Sequence, residues 1–147
     1  MKHKNIVVSV VIASLFLLVF LPPAISQTQF DPQLVQAAKK EGKVTVYNSG
    51  DRAAVDSLLK VFKEKFGISG EQYRATSHKI FSKIIEEIQA KNVYCDVVTM
   101  GSPNVLELEL QGALQELNVK EAQHYPEAHK TKYWINVTGI GLFIMYN

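Results

Sequence analysis

The sequence predicts an α/β fold in which a mostly parallel sheet is flanked by helices. Three observations lead there. Short β-rich runs alternate with stretches of helical periodicity, and small polar residues or glycine mark almost every junction. The run at 95–100 (CDVVTM) is nearly continuous in apolar residues, the pattern of a strand covered on both faces and therefore paired in parallel. At 147 residues, 47% hydrophobic and 20% charged, the chain has the composition of one globular domain.

Residues 1–26 stand apart. Lys2 and Lys4 precede an apolar run at 6–21, followed by Pro22, Pro23 and Ala24-Ile25-Ser26, with small residues at the two positions read by a signal peptidase. The expectation is a signal peptide cut after Ser26 and a periplasmic or secreted domain at 27–147. The alternative is an uncleaved signal that anchors the chain in the membrane. No cysteine sits at the cut to carry a lipid. Cleavage removes two of 16 basic residues and leaves them equal to the 14 acidic ones, which argues against nucleic-acid binding, a process driven by neutralising phosphates. Cys95, the single cysteine, has no partner for an internal disulfide and reads as a small buried hydrophobe.

The elements follow in order. Asp31 and Pro32 open a short helix that Gly42 closes. Residues 43–47 (KVTVY) alternate and form the first strand. From 51 to 66, Val55, Leu58, Leu59, Phe62 and Phe66 recur at helical spacing, and Gly67 ends the helix. Residues 70–75 (GEQYRA) make a second strand. Thr76-Ser77 then caps a helix whose buried stripe is Ile80, Phe81, Ile84, Ile85 and Ile88, with Asn92 at its end. After the strand at 95–100, Gly101-Ser102-Pro103 opens a further helix through Leu110, closed by Gly112. Its alternating leucines and glutamates would also suit an exposed strand, but Pro103 favours a helical first turn. Residues 133–147 (YWINVTGIGLFIMYN) return as strand-like sequence broken by Gly139 and Gly141.

Three small polar breaks, Asn48-Ser49-Gly50, Thr76-Ser77 and Gly101-Ser102, each fall between a strand end and a helix start. In a parallel sheet they share the carboxyl edge, where helix N-termini offer unpaired N–H groups to an anion or an oxygen-rich solute. Each break also has a plain reading as a helix cap. Asp51 would compete with an anion for the same N–H groups and is itself a candidate cap.

Catalysis lacks its signals: there is no GxSxG, no Walker lysine and no GxGxxG. The expectation is a protein that is not an enzyme and carries no cofactor. His78, His124 and His129 read as solvated surface residues, and Glu86-Glu87 with Glu107 and Glu109 as solvated helix faces. Tyr133-Trp134 reads as core, and Asn136-Val137-Thr138 is a chance match to a glycosylation sequon.

With its elements placed, the chain resembles the first lobe of the extracytoplasmic solute-binding proteins of ABC transporters, in particular the ferric-iron-binding branch. The residues that carry the resemblance are LVQAAKKEGKVTVYNSG, LLKVFKEKFGI, RATSHKIFSKI, CDVVTMGSPNVLELELQGALQEL and YWINVTGIGLFIMYN, in that order. The resemblance implies one lobe of a periplasmic-binding-protein-like (type II) fold. It also implies a cleft side formed by Asn48, Ser49, Thr76, Ser77, Gly101 and Ser102, and a hinge strand with Gly141, Tyr146 and Asn147. The implied solute is a small molecule or metal ion, ferric iron among them, and the implied partner is an ABC permease in the membrane. Such proteins have a second lobe beyond the hinge, so the expectation is a truncated version, weak in binding, with an unpaired sheet edge. The second reading of the sequence is a small exported domain that acts through protein contact or self-association at that open edge.

Overall fold

The computed structural model describes residues 30–138. The expected signal segment at 1–26 and the expected hinge residues Gly141, Tyr146 and Asn147 lie outside them. The chain parts into two compact units, Met1–Pro32 and Gln33–Asn147. The elements below belong to the second, whose first helix begins one residue earlier.

The order is α1 (Pro32–Glu41), β1 (Lys43–Asn48), α2 (Arg52–Phe66), β2 (Ser69–Arg74), α3 (Ser77–Gln89), β3 (Val97–Thr99) and α4 (Ser102–Leu110), followed by 3₁₀ turns at Lys120–His124 and Glu127–His129. The predicted α/β class holds: three strands in the order β2-β1-β3, all parallel, lie between helices. Local chemistry sets most of the boundaries. Asp51 caps α2 by accepting the Ala53 N–H at 2.9 Å, and Gly67 ends it at a φ of 72°, which side chains rarely tolerate. Proline in the first turn commits 102–110 to a helix, as expected.

Register decides which side chains meet which helix. Thr45 and Tyr47 stand opposite Glu71 and Tyr73 on the face covered by α3, while Val44 and Val46 stand opposite Gly70 and Gln72 on the face covered by α2. Gly70 needs its lack of a side chain, because a Cβ there would lie 2.4 Å from the Leu59 Cδ2. The main buried cluster lies on one side of the sheet, and Val46 and Ile68 are buried apart from it. Tyr47, Ile80, Ile84 and Leu108 are buried between the sheet, α3 and α4, with Ala75, Phe81, Ile85, Cys95, Val98, Met100, Ala113 and Leu114 packed around them.

Three expectations need correction. The strand expected at 95–100 is only Val97–Thr99 and lies at a sheet edge, with Val97 exposed on the α2 face. Leu58, expected in the buried stripe of α2, is 66% exposed, because α2 packs on β2 through its neighbour Leu59, which lies against Gly70. Residues 133–138 hold no strand, only a turn in which Lys130 and Ile135 form one antiparallel bridge. A lone bridge suffices because Trp134 anchors the turn instead, its Nε1–H donating to Glu109 Oε2 at 2.7 Å, so Glu109 is not a solvated face residue. No helix among the described residues is long and apolar enough to cross a membrane.

Ile80→Ala and Leu108→Ala, both at 0% exposure, are each expected to lower the unfolding free energy by about 2–5 kcal/mol. Leu110→Ala, at 86% exposure, is expected to cost less than about 0.5 kcal/mol. Urea titration of the three variants makes the comparison, and equal midpoints would contradict this placement of the core.

Candidate functional site

The carboxyl ends of the three strands form one rim, closed by hydrogen bonds between the breaks. The Ser49 N–H donates to the Thr99 carbonyl at 2.9 Å, and the Ala75 N–H donates to the Asn48 carbonyl at 3.2 Å. Ser77 Oγ accepts the Gly101 N–H at 3.2 Å, joining the second break to the third. Parallel pairing causes the convergence, since it turns every strand end the same way.

The six residues expected to line a cleft do different work on this rim. Asn48 is 1% exposed, and its amide is fully engaged inside the protein. Its Oδ1 accepts from Gly50 N at 2.8 Å and Thr99 Oγ1 at 3.0 Å, and its Nδ2 donates to the Asp51 carbonyl at 3.1 Å and Gln72 Oε1 at 3.2 Å. Two donors and two acceptors exhaust the group, so Asn48 shapes the rim rather than offering it a contact. Thr76 caps α3 through Lys79 N at 3.5 Å and remains exposed. Ser49 and Ser77 are half-buried, and Gly101 and Ser102 are exposed at the start of α4. Asp51 is the α2 cap that the sequence suggested.

Sequence reasoning passed over Arg74. As the last residue of β2 it reaches along the rim, its Nε donating to the Gly50 carbonyl at 2.9 Å while the side chain stays exposed. The signal available was its position, directly before the Ala75-Thr76-Ser77 break.

A second cluster, also missed, holds α3 in place. Glu87, expected on a solvated face, is 6% exposed. Its Oε1 accepts from Tyr47 Oη at 2.5 Å and pairs with Lys83 Nζ at 2.7 Å, and its Oε2 accepts the Tyr94 N–H at 3.1 Å. The Lys83 ammonium also lies 5.5 Å from the Tyr47 ring centroid and 5.6 Å from that of Tyr73. Glu87 follows Ile80 by seven positions and Ile84 by three, which places it on the buried stripe; its charge disguised the periodicity. Burial pushes the Glu87 carboxyl up, but Lys83, the Tyr47 hydroxyl and the Tyr94 N–H outweigh burial and hold it below the usual carboxylate range. Burial, with the Glu87 hydrogen bond, pushes the Tyr47 phenol up to about 12, and Glu87 in turn holds the Lys83 ammonium above its ordinary value.

Cys95 packs half-buried against the core, where burial pushes its thiol up to about 11 and leaves little thiolate at neutral pH. His78, His124 and His129 are exposed. Among the described residues no group of three or more histidine, cysteine or acidic side chains is placed to hold a metal ion.

No protein-family model and no curated protein matches the chain. Among solved structures, the chain is similar to iron-bound HitA from Pseudomonas aeruginosa, with a TM-score of 0.56 and 24% identity. The match covers 62% of this chain and 29% of that chain, so it spans less than a third of the HitA structure. At this identity the likeness shows a shared α/β fold.

Asn48→Ala should strand the Thr99 hydroxyl and the Gly50 N–H, costing about 1–3 kcal/mol, whereas Ser49→Ala should stay within about 0.5 kcal/mol. Chemical denaturation of both variants tests the division of roles. The Glu87 cluster predicts pH dependence at both ends. A carboxyl held below 4.5 contributes stability that is complete above that value and is lost as pH falls through the folded value. A phenol raised from 10.0 to about 12 contributes stability that is complete below pH 10.0 and is lost as pH rises toward 12. Thermal melts across pH should therefore show a flatter acid limb for Glu87→Gln and a flatter alkaline limb for Tyr47→Phe; limbs unchanged from the parent protein would contradict the assignment.

Proposed function

We propose that the chain supplies one side of a solute cleft, as the extracytoplasmic solute-binding component of an ABC importer, and that it is not an enzyme. The observation that carries the reading is the hydrogen-bonded rim, on which Ser49, Thr76, Ser77, Gly101 and Ser102 gather around the starts of α3 and α4. The fold shared with HitA, a protein solved with iron bound, supports it. So does the sequence resemblance to the ferric-iron-binding branch of such components.

The rim favours a particular kind of solute. Its groups are hydroxyls, main-chain N–H groups and the Arg74 guanidinium, which donate hydrogen bonds to oxygen. The fitting solute is a small oxygen-rich anion or a metal ion carried as a complex with one, ferric citrate being an example. One lobe encloses such a solute from one side, so affinity is modest unless a second lobe closes over it. Residues 141–147 would serve as the hinge, an ABC permease would receive the solute, and a cleaved signal at 1–26 would place the protein in the periplasm.

Phosphate, citrate and ferric citrate are the probes. A solute at ten times its Kd is expected to stabilise the fold by about 1.4 kcal/mol, read as a rise in Tm. Ser49→Ala combined with Ser102→Ala should abolish that rise while leaving the solute-free Tm nearly unchanged. A solute that stabilises parent and variant alike binds elsewhere, and failure of all three to raise Tm would overturn the reading.

A further inference from the structure

The rim leaves a different part of the sheet unexplained. Among the described residues β2 is an outer strand with no neighbour on its far side. The main-chain groups of Ser69 and Ala75 turn inward, donating to the Gly42 and Asn48 carbonyls, so alternation turns those of Gly70, Gln72 and Arg74 outward. Two hollows flank this edge, one on each face of the sheet. On the α2 face a hollow of about 370 Å³ lies among Asp56, Leu59, Lys60 and Lys63. On the α3 face one of about 290 Å³ lies among Tyr47, Tyr73, Lys83 and Tyr94. Both include Glu71 and Gln72 of β2 itself.

We propose that the outer edge of β2 is a strand-addition site for an extended segment of a partner protein that carries carboxylates at alternate positions. A strand laid against β2 would meet the outward main-chain groups of Gly70, Gln72 and Arg74 and send successive side chains into the two hollows by turns. Charge selects the partner. Along the edge Glu71 is neutralised by Lys43 at 2.7 Å, whereas Asp56, held by the neutral Gln72 amide, keeps its charge and is outnumbered by the two lysines of its hollow. Lys60 and Lys63 have no ion-pair partner among the described residues. The α2-face hollow therefore favours acidic side chains, while the aromatic walls on the other face favour apolar ones. A second copy of this chain fits less well, because antiparallel pairing of two β2 strands would bring Lys60 and Lys63 of both copies together on one face. The proposal is independent of the solute cleft, which lies at the strand ends rather than along a strand.

The test uses the full chain and fluorescently labelled, capped peptides that alternate glutamate with valine, or lysine with valine. The glutamate peptide is expected to bind at least about tenfold more tightly, and Lys60→Glu with Lys63→Glu to invert that preference. Both lysines are exposed, so circular dichroism should match the parent. N-methylation of alternate amides in the glutamate peptide should abolish binding, because it removes the donors to the β2 carbonyls. Equal binding of the two peptides, or binding indifferent to N-methylation, would overturn the proposal. A dimer whose population rises with concentration, together with no peptide binding, would assign the edge to a second copy and overturn it as well.

Discussion

The arrangement at the strand ends hangs on one side-chain amide. Asn48 ends the central strand, and its four hydrogen bonds reach Gln72 on one neighbouring strand, Thr99 on the other, and Gly50 and Asp51 in the turn to α2. An amide at 1% exposure with all its capacity used holds a turn that the backbone ladder alone would leave loose. The turn in turn orients Asp51, which caps α2, and presents the Gly50 carbonyl to Arg74. The rim is thus tied across all three strands by the protein's own groups.

The second constraint acts from beneath. Tyr47 precedes Asn48 and points to the opposite face, where its hydroxyl meets Glu87 on α3. Glu87 also holds Lys83 one turn earlier and the Tyr94 N–H in the connection to β3. A buried charge so surrounded fixes an orientation more surely than it adds stability, since desolvation offsets much of the attraction. Here it sets the angle of α3, and so the place where Thr76 and Ser77 meet Gly101. Adjacent residues of one strand therefore serve two ends: one binds the rim together and the other aims the helix that completes it.

The sheet is less evenly protected than its composition implies. Its main buried cluster lies on the α3 and α4 side, and on the opposite face α2 packs against β2. Leu58 and Val97 remain exposed, and among the described residues the outward groups of β2 have no strand partner. Unpaired parallel edges invite further pairing. The β2 margin carries the tyrosine-lined hollow, where the Lys83 ammonium lies over both the Tyr47 and the Tyr73 ring.

Much of this was legible before any coordinates. Strand and helix identity from 32 to 110, the caps at Asp51 and Thr76, the stop at Gly67 and the helical choice at Pro103 all arise from residues within a few positions of one another, so the sequence alone determined them. Even the convergence of the three breaks followed, because parallel pairing leaves no other place for them. What tertiary structure alone decided depends on partners distant in sequence. Whether Asn48 faces a solute or its own protein is settled by Gln72 and Thr99, 24 and 51 residues away. Whether Glu87 is solvated is settled by Tyr47, 40 residues away. Whether Leu58 or Leu59 meets the sheet depends on how α2 packs over Gly70 of β2. A polar side chain has the same local pattern in water or in a buried network; only packing supplies the groups that tell the two apart.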